Sequence, residues 1–225
     1  MNAQSHRTAA FVRAEGALLR RPTLAAAAWL AANAQTFQQR AFGLGTVLAA
    51  SPLALPGTPL SDSGTATRLA WAGLRGVSDD RLHILGEAYY KAHLAGGLRS
   101  GGLRAIARAR ARGEAIVLVS DNLDVIIDHL ATEIGADAVI CNRMELRGDR
   151  ATGRLADPAI CGTLGGARLR SFATERGLDL GACSAIGSRG EDQALLAAVG
   201  KPCAVSPDAS LRRAARDLDW PILTD

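Results

Sequence analysis

Three short segments of the chain place polar side chains directly after apolar runs, where they could do chemistry together. Arg13 and Glu15 follow the first run, Ser120 and Asp121 follow a later one, and Asp192 follows a third. Carboxylates can act as general acids or bases or can hold Mg²⁺. A guanidinium and a hydroxyl beside backbone N–H groups bind phosphate or carboxylate. These residue types therefore indicate a site for an anionic group.

A parallel α/β sheet is the architecture that would bring these segments together. Brief apolar runs that close on small or polar residues predict five buried strands, at 8–12, 115–119, 138–142, 182–186 and 202–205. Helical patterns alternate with them, at 98–112, 123–134, 167–176, 192–199 and 209–217. Ligands bind at the carboxyl ends of such strands, which places the candidate site at 13–17, 120–122 and 187–192, with 162–167 as a further contributor.

The segment 23–98 interrupts this alternation. It is mostly helical in composition and broken by a cluster of prolines, with helices predicted at 24–39, 41–50 and 79–94. We predict a core domain of residues 1–22 and 99–225, and an all-helical cap domain of residues 23–98 inserted after the first strand. Residues 142–155 predict a β-hairpin that turns near Gly148.

Composition restricts the partners. The 225 residues carry a formal net charge of +4, spread as Arg rather than gathered into the dense basic stripe of a nucleic-acid binder. We therefore expect no nucleic-acid partner. The start of the chain lacks the apolar stretch of a secretory signal, and we expect a cytoplasmic location. The apolar run 41–56 is short for a membrane span, so a buried helix pair or a partner-facing surface is favoured over membrane contact through residues 41–60.

The order of several motifs resembles the phosphoserine-phosphatase-like branch of the haloacid dehalogenase superfamily. That family opens with F-D-x-D-G-T-L, and residues 11–18 here are FVRAEGAL. Each further motif is weak alone, but their order and spacing are specific: VLVS at 117–120, NRME at 142–145, GRL at 153–155, CGTLGGA at 161–167, GSRGED at 187–192, PCAVSPD at 202–208 and WPIL at 220–223. The resemblance covers nearly the whole chain and implies a Rossmann-like parallel sheet flanked by helices, with a helical cap.

The resemblance also implies a reaction and shows which groups are missing. In the family, an Asp nucleophile forms an aspartyl-phosphate, and a second Asp two residues later acts as general acid and base. The nucleophile position is Arg13 here, and the acid–base position is Glu15. The motif-two serine survives as Ser120. Of the two motif-four acids, the first, a Mg²⁺ ligand in the family, is Ser188, and the second survives as Asp192.

Two supporting positions have also changed. The motif-one Thr is Ala17, and the Lys position falls near Gly166, although Arg168 is close enough in sequence to stand in for it. A fixed positive charge at Arg13 would repel Mg²⁺. We therefore expect no Mg²⁺, no other cofactor and no aspartyl-phosphate.

Two interpretations of Arg13 remain open at this point, beside a different chemistry that would use Glu15 or Asp121. It could pair with Glu15, Glu191 or Asp192 and fill the old pocket. Alternatively, it could take over the electrostatic role of the metal and bind an anion without cleaving it. In that case the ligand-binding set comprises Arg13, Glu15, Gly16, Ser120, Asp121, Asn122, Arg168 and Asp192.

Three functional hypotheses follow. The losses at Arg13 and Ser188 favour a pseudophosphatase, a catalytically impaired or inactive homologue that binds a phosphorylated or other anionic small molecule or a partner protein. The alternative is a divergent phosphoserine-phosphatase-like phosphomonoester hydrolase that uses Ser120, Glu15 and Asp192. An ion pair from Arg13 to Asp192 or Glu15 would count against that alternative. A third hypothesis is a membrane- or lipid-enzyme-associated regulator that acts through the cap.

Overall fold

A computed structural model describes residues 8–54, 64–161 and 164–225 of the chain. Its centre is a six-stranded sheet in which every pairing is parallel. The strands are β1 (Ala9–Arg13), β2 (Ala115–Leu123), β3 (Ala138–Asn142), β6 (Ser184–Gly187), β7 (Lys201–Val205) and β8 (Ile222–Leu223). The two intervening strands, β4 (Met144–Arg147) and β5 (Arg150–Leu155), form a separate antiparallel hairpin.

The strand order β3-β2-β1-β6-β7-β8 makes β1 the topological switch point. The chain first builds outward from β1 on one side and later returns to build on the other side. Crevices at such reversals are where open α/β sheets bind ligands. Arg13, the last residue of β1, therefore lies where this fold most readily forms a site.

Five helices flank the sheet: α5 (Ser100–Ala111), α6 (Asp124–Ile134), α7 (Leu164–Arg176), α8 (Gln193–Leu196) and α9 (Ala209–Asp217). Because side chains alternate along a strand, Val12 enters one hydrophobic cluster and Phe11 enters the other. The cluster around Phe11 includes Leu169 and Leu211 from α7 and α9. The α/β class and the parallel sheet predicted from the sequence are confirmed.

The described part of the segment between β1 and α5 contains four helices: α1 (Thr23–Ala32), α2 (Phe37–Ala50), α3 (Thr65–Ala72) and α4 (Asp79–His93). A 3₁₀ turn, Ser51–Ala54, follows α2. Helices α2 and α3 approach closely because glycines face each other: a Cβ built on Gly73 would lie 2.8 Å from the Cα of Gly43. Among the described helices, none has the length and apolar content that crossing a bilayer requires.

Three sequence-based boundaries are corrected. The helix predicted at 24–39 is two helices, because Thr36 caps a new one: its Oγ accepts from the N–H of Gln39, whose Oε1 accepts from the N–H of Thr36. The helix predicted at 192–199 is only the short α8 after a 3₁₀ turn, Gly190–Asp192. Strand β2 runs four residues beyond the predicted end at 119.

The hairpin at 142–155 is confirmed, and its turn contains Gly148 with φ of +64°. Helix α3 had no individual prediction. Residues 55–60 of the apolar segment, and 162–163 of the predicted crossover contributor, lie outside the described residues.

Candidate functional site

The predicted strand ends do meet in space. Arg13 ends β1, the segment Ser120–Asn122 lies in the last part of β2, and Ser188 directly follows β6. Their side chains are almost entirely removed from solvent, with Asp121, at 7%, the most exposed residue of the set Arg13, Glu15, Ser120, Asp121, Asn122, Ser188 and Asp192. Buried charges persist only when they are paired, so the partners of each group decide what the site can do.

Arg13 is held by three carboxylates. Its two terminal nitrogens donate to the two oxygens of Asp121, at 2.9 and 3.0 Å, which is the bidentate geometry that a planar guanidinium favours. Its Nε lies 2.9 Å from Asp192 Oδ1, an ion-pair contact whose angles do not make a hydrogen bond. Its Nη2 lies 3.5 Å from Glu15 Oε2. The guanidinium thus fills the space between β1, β2 and the loop after β6.

Glu15 is fixed from the β2 side. Its Oε1 accepts from Ser120 Oγ at 2.5 Å and from Asn122 Nδ2 at 2.8 Å, while its Oε2 accepts from the N–H of Asp121 at 3.3 Å. Ser120 Oγ in turn accepts from the N–H of Asn122 at 3.0 Å. The hydroxyl that would hold a phosphoryl oxygen in the family is therefore engaged with Glu15.

Asp192 is fixed by the loop after β6. Its Oδ2 accepts from the N–H groups of Ser188 and Arg189, at 2.8 and 2.9 Å. Gly16, with φ of +80°, packs directly against this loop, because a Cβ at that position would lie 2.9 Å from the Cβ of Ser188. The residues after β1 and β6 therefore touch each other, with no gap between them at this point.

The electrostatics of the cluster follow from three carboxylates facing one guanidinium. Burial raises the pKa of Asp121 to about 7, and Arg13 only partly opposes this shift. Burial also raises the pKa of Asp192, again against the attraction of Arg13. Burial disfavours the charge on Arg13 as well, but Asp121, Asp192 and Glu15 outweigh it and raise the Arg13 pKa. The cluster thus holds its arginine charged, and Asp121 and Asp192 bind protons more readily than water-exposed carboxylates do.

These residues do not fit the Mg²⁺ that the family resemblance implies. A divalent ion needs several oxygen ligands around an open position, but the carboxylates of Asp121 and Asp192 each lie 2.9 Å from a nitrogen of Arg13. No grouping of acids, His and Cys within the described ranges is arranged to hold a metal ion.

Arg168 is not brought together with this cluster. It lines a separate cavity of about 320 Å³ beside Asp124, Asp128 and Arg143. The stand-in role for the family lysine therefore lacks geometric support, and its role toward a ligand stays a prediction.

Two buried side chains that support the site were not among the sequence candidates. Asn142 Nδ2 donates to the carbonyl of Asp121 at 2.7 Å, and Trp71 Nε1 donates to the same oxygen at 3.3 Å. The sequence could have indicated Asn142, because it is a polar residue at the end of a buried strand. The sequence contained no indication of Trp71, because only tertiary packing places α3 beside the end of β2.

Comparisons with known proteins agree with this fold. The family model for haloacid dehalogenase-like hydrolase matches residues 13–197. Phosphoserine phosphatase SerB1 of Mycobacterium tuberculosis (strain ATCC 25618 / H37Rv) is 29% identical over 162 residues, which are 72% of this chain and 53% of that protein. The "Inhibition of morphological differentiation protein" of Streptomyces azureus is 32% identical over 111 residues, which are 49% of this chain and 40% of that protein. The chain spans about half the length of these curated relatives.

Two solved structures show the same fold. The crystal structure of a protein with unknown function from Bordetella pertussis Tohama I has a TM-score of 0.81 at 20% identity, covering 97% of this chain and 98% of the other. A substrate-bound phosphoserine phosphatase complex has a TM-score of 0.68 at 16% identity, covering 96% and 92%. At these identities the likeness is one of fold.

Proposed function

Because the chain belongs to the haloacid dehalogenase-like hydrolase family, we propose that it is a member in which the hydrolytic site has become a structural ion-pair cluster, and that it acts by binding. One observation carries the proposal: Arg13, at the nucleophile position, is bonded to Asp121 and in ion-pair contact with Asp192. A guanidinium stays protonated and cannot attack phosphorus. The side chain that replaces the nucleophile therefore also closes the space where substrate would enter.

The cluster around Arg13 also affects which class of ligand the protein would bind. Both terminal nitrogens of Arg13 are committed to Asp121, and three carboxylates surround the one cation. An incoming phosphate would have to displace Asp121 while facing Glu15 and Asp192. The geometry thus favours a partner protein over an anionic small molecule in this pocket. Absence of a cofactor and a cytoplasmic location remain parts of the proposal.

A phosphatase assay tests the proposal directly. Purified protein would be incubated with Mg²⁺ and either p-nitrophenyl phosphate or phosphoserine, beside an Asp192→Ala variant prepared in the same way. We expect the two proteins to release phosphate at the same background rate. Turnover by the wild type that disappears in the Asp192→Ala preparation would overturn the proposal.

A divergent phosphomonoester hydrolase is the second candidate. The names of the curated relatives support it better than they support loss of activity, since one is a phosphoserine phosphatase. Ser120, Glu15 and Asp192 all survive at one edge of the sheet. For this candidate Arg13 would have to leave the cluster when substrate binds, so soaking crystals with phosphate should show Arg13 on the phosphate and Asp121 released.

A further inference from the structure

Helix α2 presents an apolar face to solvent. Of nine large apolar side chains exposed in the described part of the chain, four lie on this one helix: Phe37 at 79%, Phe42 at 50%, Leu44 at 44% and Leu48 at 75%. The opposite face of α2 is buried through Gly43, Val47 and Ala50. Apolar side chains that are exposed together on one surface often mark a site of interaction with another molecule.

The exposed face has a ridge and a valley. Leu44 and Leu48, four residues apart, form a ridge along the helix. The small residues Ala41, Gly45 and Ala49 form the adjacent row, and all three are exposed. A Cβ built on Gly45 would meet no described atom within 4 Å, so the valley is open at its centre.

We infer that this face, defined by Ala41, Leu44, Gly45, Leu48 and Ala49, pairs with the same face of a second copy of the chain. Antiparallel packing of α2 about a two-fold axis between residues 44 and 45 sets Leu44 of each copy onto Gly45 of the other. It also sets each Leu48 onto the other copy's Ala41. One helix thus supplies both halves of a self-complementary contact, as a two-fold interface requires.

Charge supports the same arrangement. Arg40 is the single charged residue of α2, and the last turn of that helix has no basic residue of its own. In the antiparallel pair each Arg40 lies across from Ala49, beside the negative end of the other helix dipole. The two Arg40 positions stand about 13 Å apart along the axis, at 1.5 Å per residue. That separation exceeds the screening length of roughly 8 Å at physiological salt.

The exposed apolar area of α2 limits how stable this dimer is. Taking about 200 Å² for a fully exposed large apolar side chain, Leu44 and Leu48 of this face expose roughly 240 Å² per copy, and the neighbouring Phe37 and Phe42 raise the total to at most roughly 500 Å². A stable interface buries about 800 Å² per partner. The dimer is therefore weak and depends on concentration. A membrane surface fits less well, because helices that bind bilayers carry several Lys or Arg on the polar face, whereas α2 has Arg40 alone.

Sedimentation velocity on the full chain tests the inference, between roughly 1 and 200 µM, where an interface of this size dissociates. We expect a monomer–dimer equilibrium for the wild type. Leu48→Glu and Gly45→Leu should each weaken it at least ~10-fold, since one charges the ridge and the other fills the valley at the contact centre. Leu218→Glu, at a side chain that is 51% exposed at the end of α9, is the matched control and should leave the equilibrium unchanged.

The Gly45→Leu variant also distinguishes a second copy of the chain from a membrane as the binding partner of this face of α2. It adds apolar surface, so it strengthens adsorption to vesicles of phosphatidylcholine and phosphatidylglycerol if a membrane is the occupant, but it prevents close helix pairing. The inference would be overturned if the wild type stays monomeric throughout the concentration range. It would also be overturned if neither α2 variant weakens the dimer, or if Gly45→Leu strengthens binding to the vesicles. Circular dichroism melting of each variant shows that it is folded. The state of the Arg13 cluster does not enter this test.

Discussion

At the residue scale, Arg13 illustrates how one substitution changes what its neighbours must do. Aspartate at the nucleophile position would add a fourth carboxylate to Glu15, Asp121 and Asp192, a group that a metal ion could balance. Arginine instead supplies the positive charge internally, and Asp121 meets it with both oxygens. The negative charge of the three carboxylates is thus partly balanced by a side chain of the protein itself.

Removing the guanidinium should therefore destabilise the fold. Arg13→Met keeps much of the side-chain volume but leaves three buried carboxylates without a cation, and breaking a buried pair in this way costs about 3–5 kcal/mol. Urea denaturation at pH 7.5 would measure the change in free energy of unfolding. Arg40→Met, on the exposed side of α2, is the matched control and should change it by less than about 0.5 kcal/mol. A loss of under about 1 kcal/mol at Arg13 would contradict the structural role assigned to it.

Restoring the family acids tests the alignment itself. The double substitution Arg13→Asp with Ser188→Asp removes the cation and adds two carboxylates beside Asp192. We expect Mg²⁺ to raise the thermal midpoint of this variant, because a ligand that binds only the folded state stabilises it. The wild type and an Arg13→Ala, Ser188→Ala double variant should show no Mg²⁺ response. If the acidic variant folds and still ignores Mg²⁺ in calorimetric titration, the two positions have been misassigned.

At the element scale, helix contacts are set by where glycine allows close approach. Gly86 lies in α4, and a Cβ there would fall 2.1 Å from the carbonyl oxygen of Val125 at the start of α6. Gly45 lies in α2, and a Cβ there meets nothing within 4 Å among the described atoms. Both are helix-interior glycines, so they share the same gain in helix propensity when replaced by alanine.

This pair gives a controlled prediction. Gly45→Ala should stabilise the protein by about 0.5–1 kcal/mol through helix propensity. Gly86→Ala should destabilise it by about 1–3 kcal/mol, because the added methyl forces α4 away from α6. Thermal or urea unfolding of the two variants side by side would measure the difference. Equal stabilisation by both substitutions would mean that α4 does not pack on α6 as closely as the structure has it.

At the scale of the whole molecule, the buried acids link folding to pH. The pKa of Asp121 is raised from 3.8 to about 7 in the folded protein, mainly by burial. Between about pH 4 and pH 7 the folded state keeps this proton while the unfolded state has lost it. Folding is therefore favoured at the acid end of this window, and the free energy of unfolding falls as pH rises, by at most about 1.4 kcal/mol per pH unit for one proton.

Asp121→Asn isolates that contribution. The amide cannot titrate, so the difference in unfolding free energy between wild type and variant should shift in favour of the wild type as pH is lowered from 7 to 4.5. Acids that do not contact Arg13 contribute equally to both proteins and cancel in the difference. Urea denaturation at three pH values would measure it. A difference that stays constant across the window would show that Asp121 has an ordinary pKa in the folded state.

The sequence alone predicted five of the six strands of the described sheet and the residues near their ends, whereas the short strand β8 had no prediction. Apolar runs closing on small or polar residues are local signals, and they predict that Arg13, Ser120, Asp121, Asn122 and Asp192 lie at one edge of the sheet. The absence of an aspartate at position 13 was likewise visible in the sequence. The break between α1 and α2 could have been predicted from the Thr36–Gln39 pair, whereas nothing local indicated that α8 would be so short.

Tertiary structure decided the remaining points, because each depends on distances between segments far apart in the chain. The sequence left open whether Arg13 holds an anion or pairs internally. Only packing showed that Asp121, 108 residues away, takes both of its terminal nitrogens. Packing likewise carried Trp71 to the site and Arg168 to a different cavity. Local sequence patterns are enough to predict which strand ends lie together. They cannot predict which charged side chains pair, because pairing depends on distances of a few ångströms between distant segments.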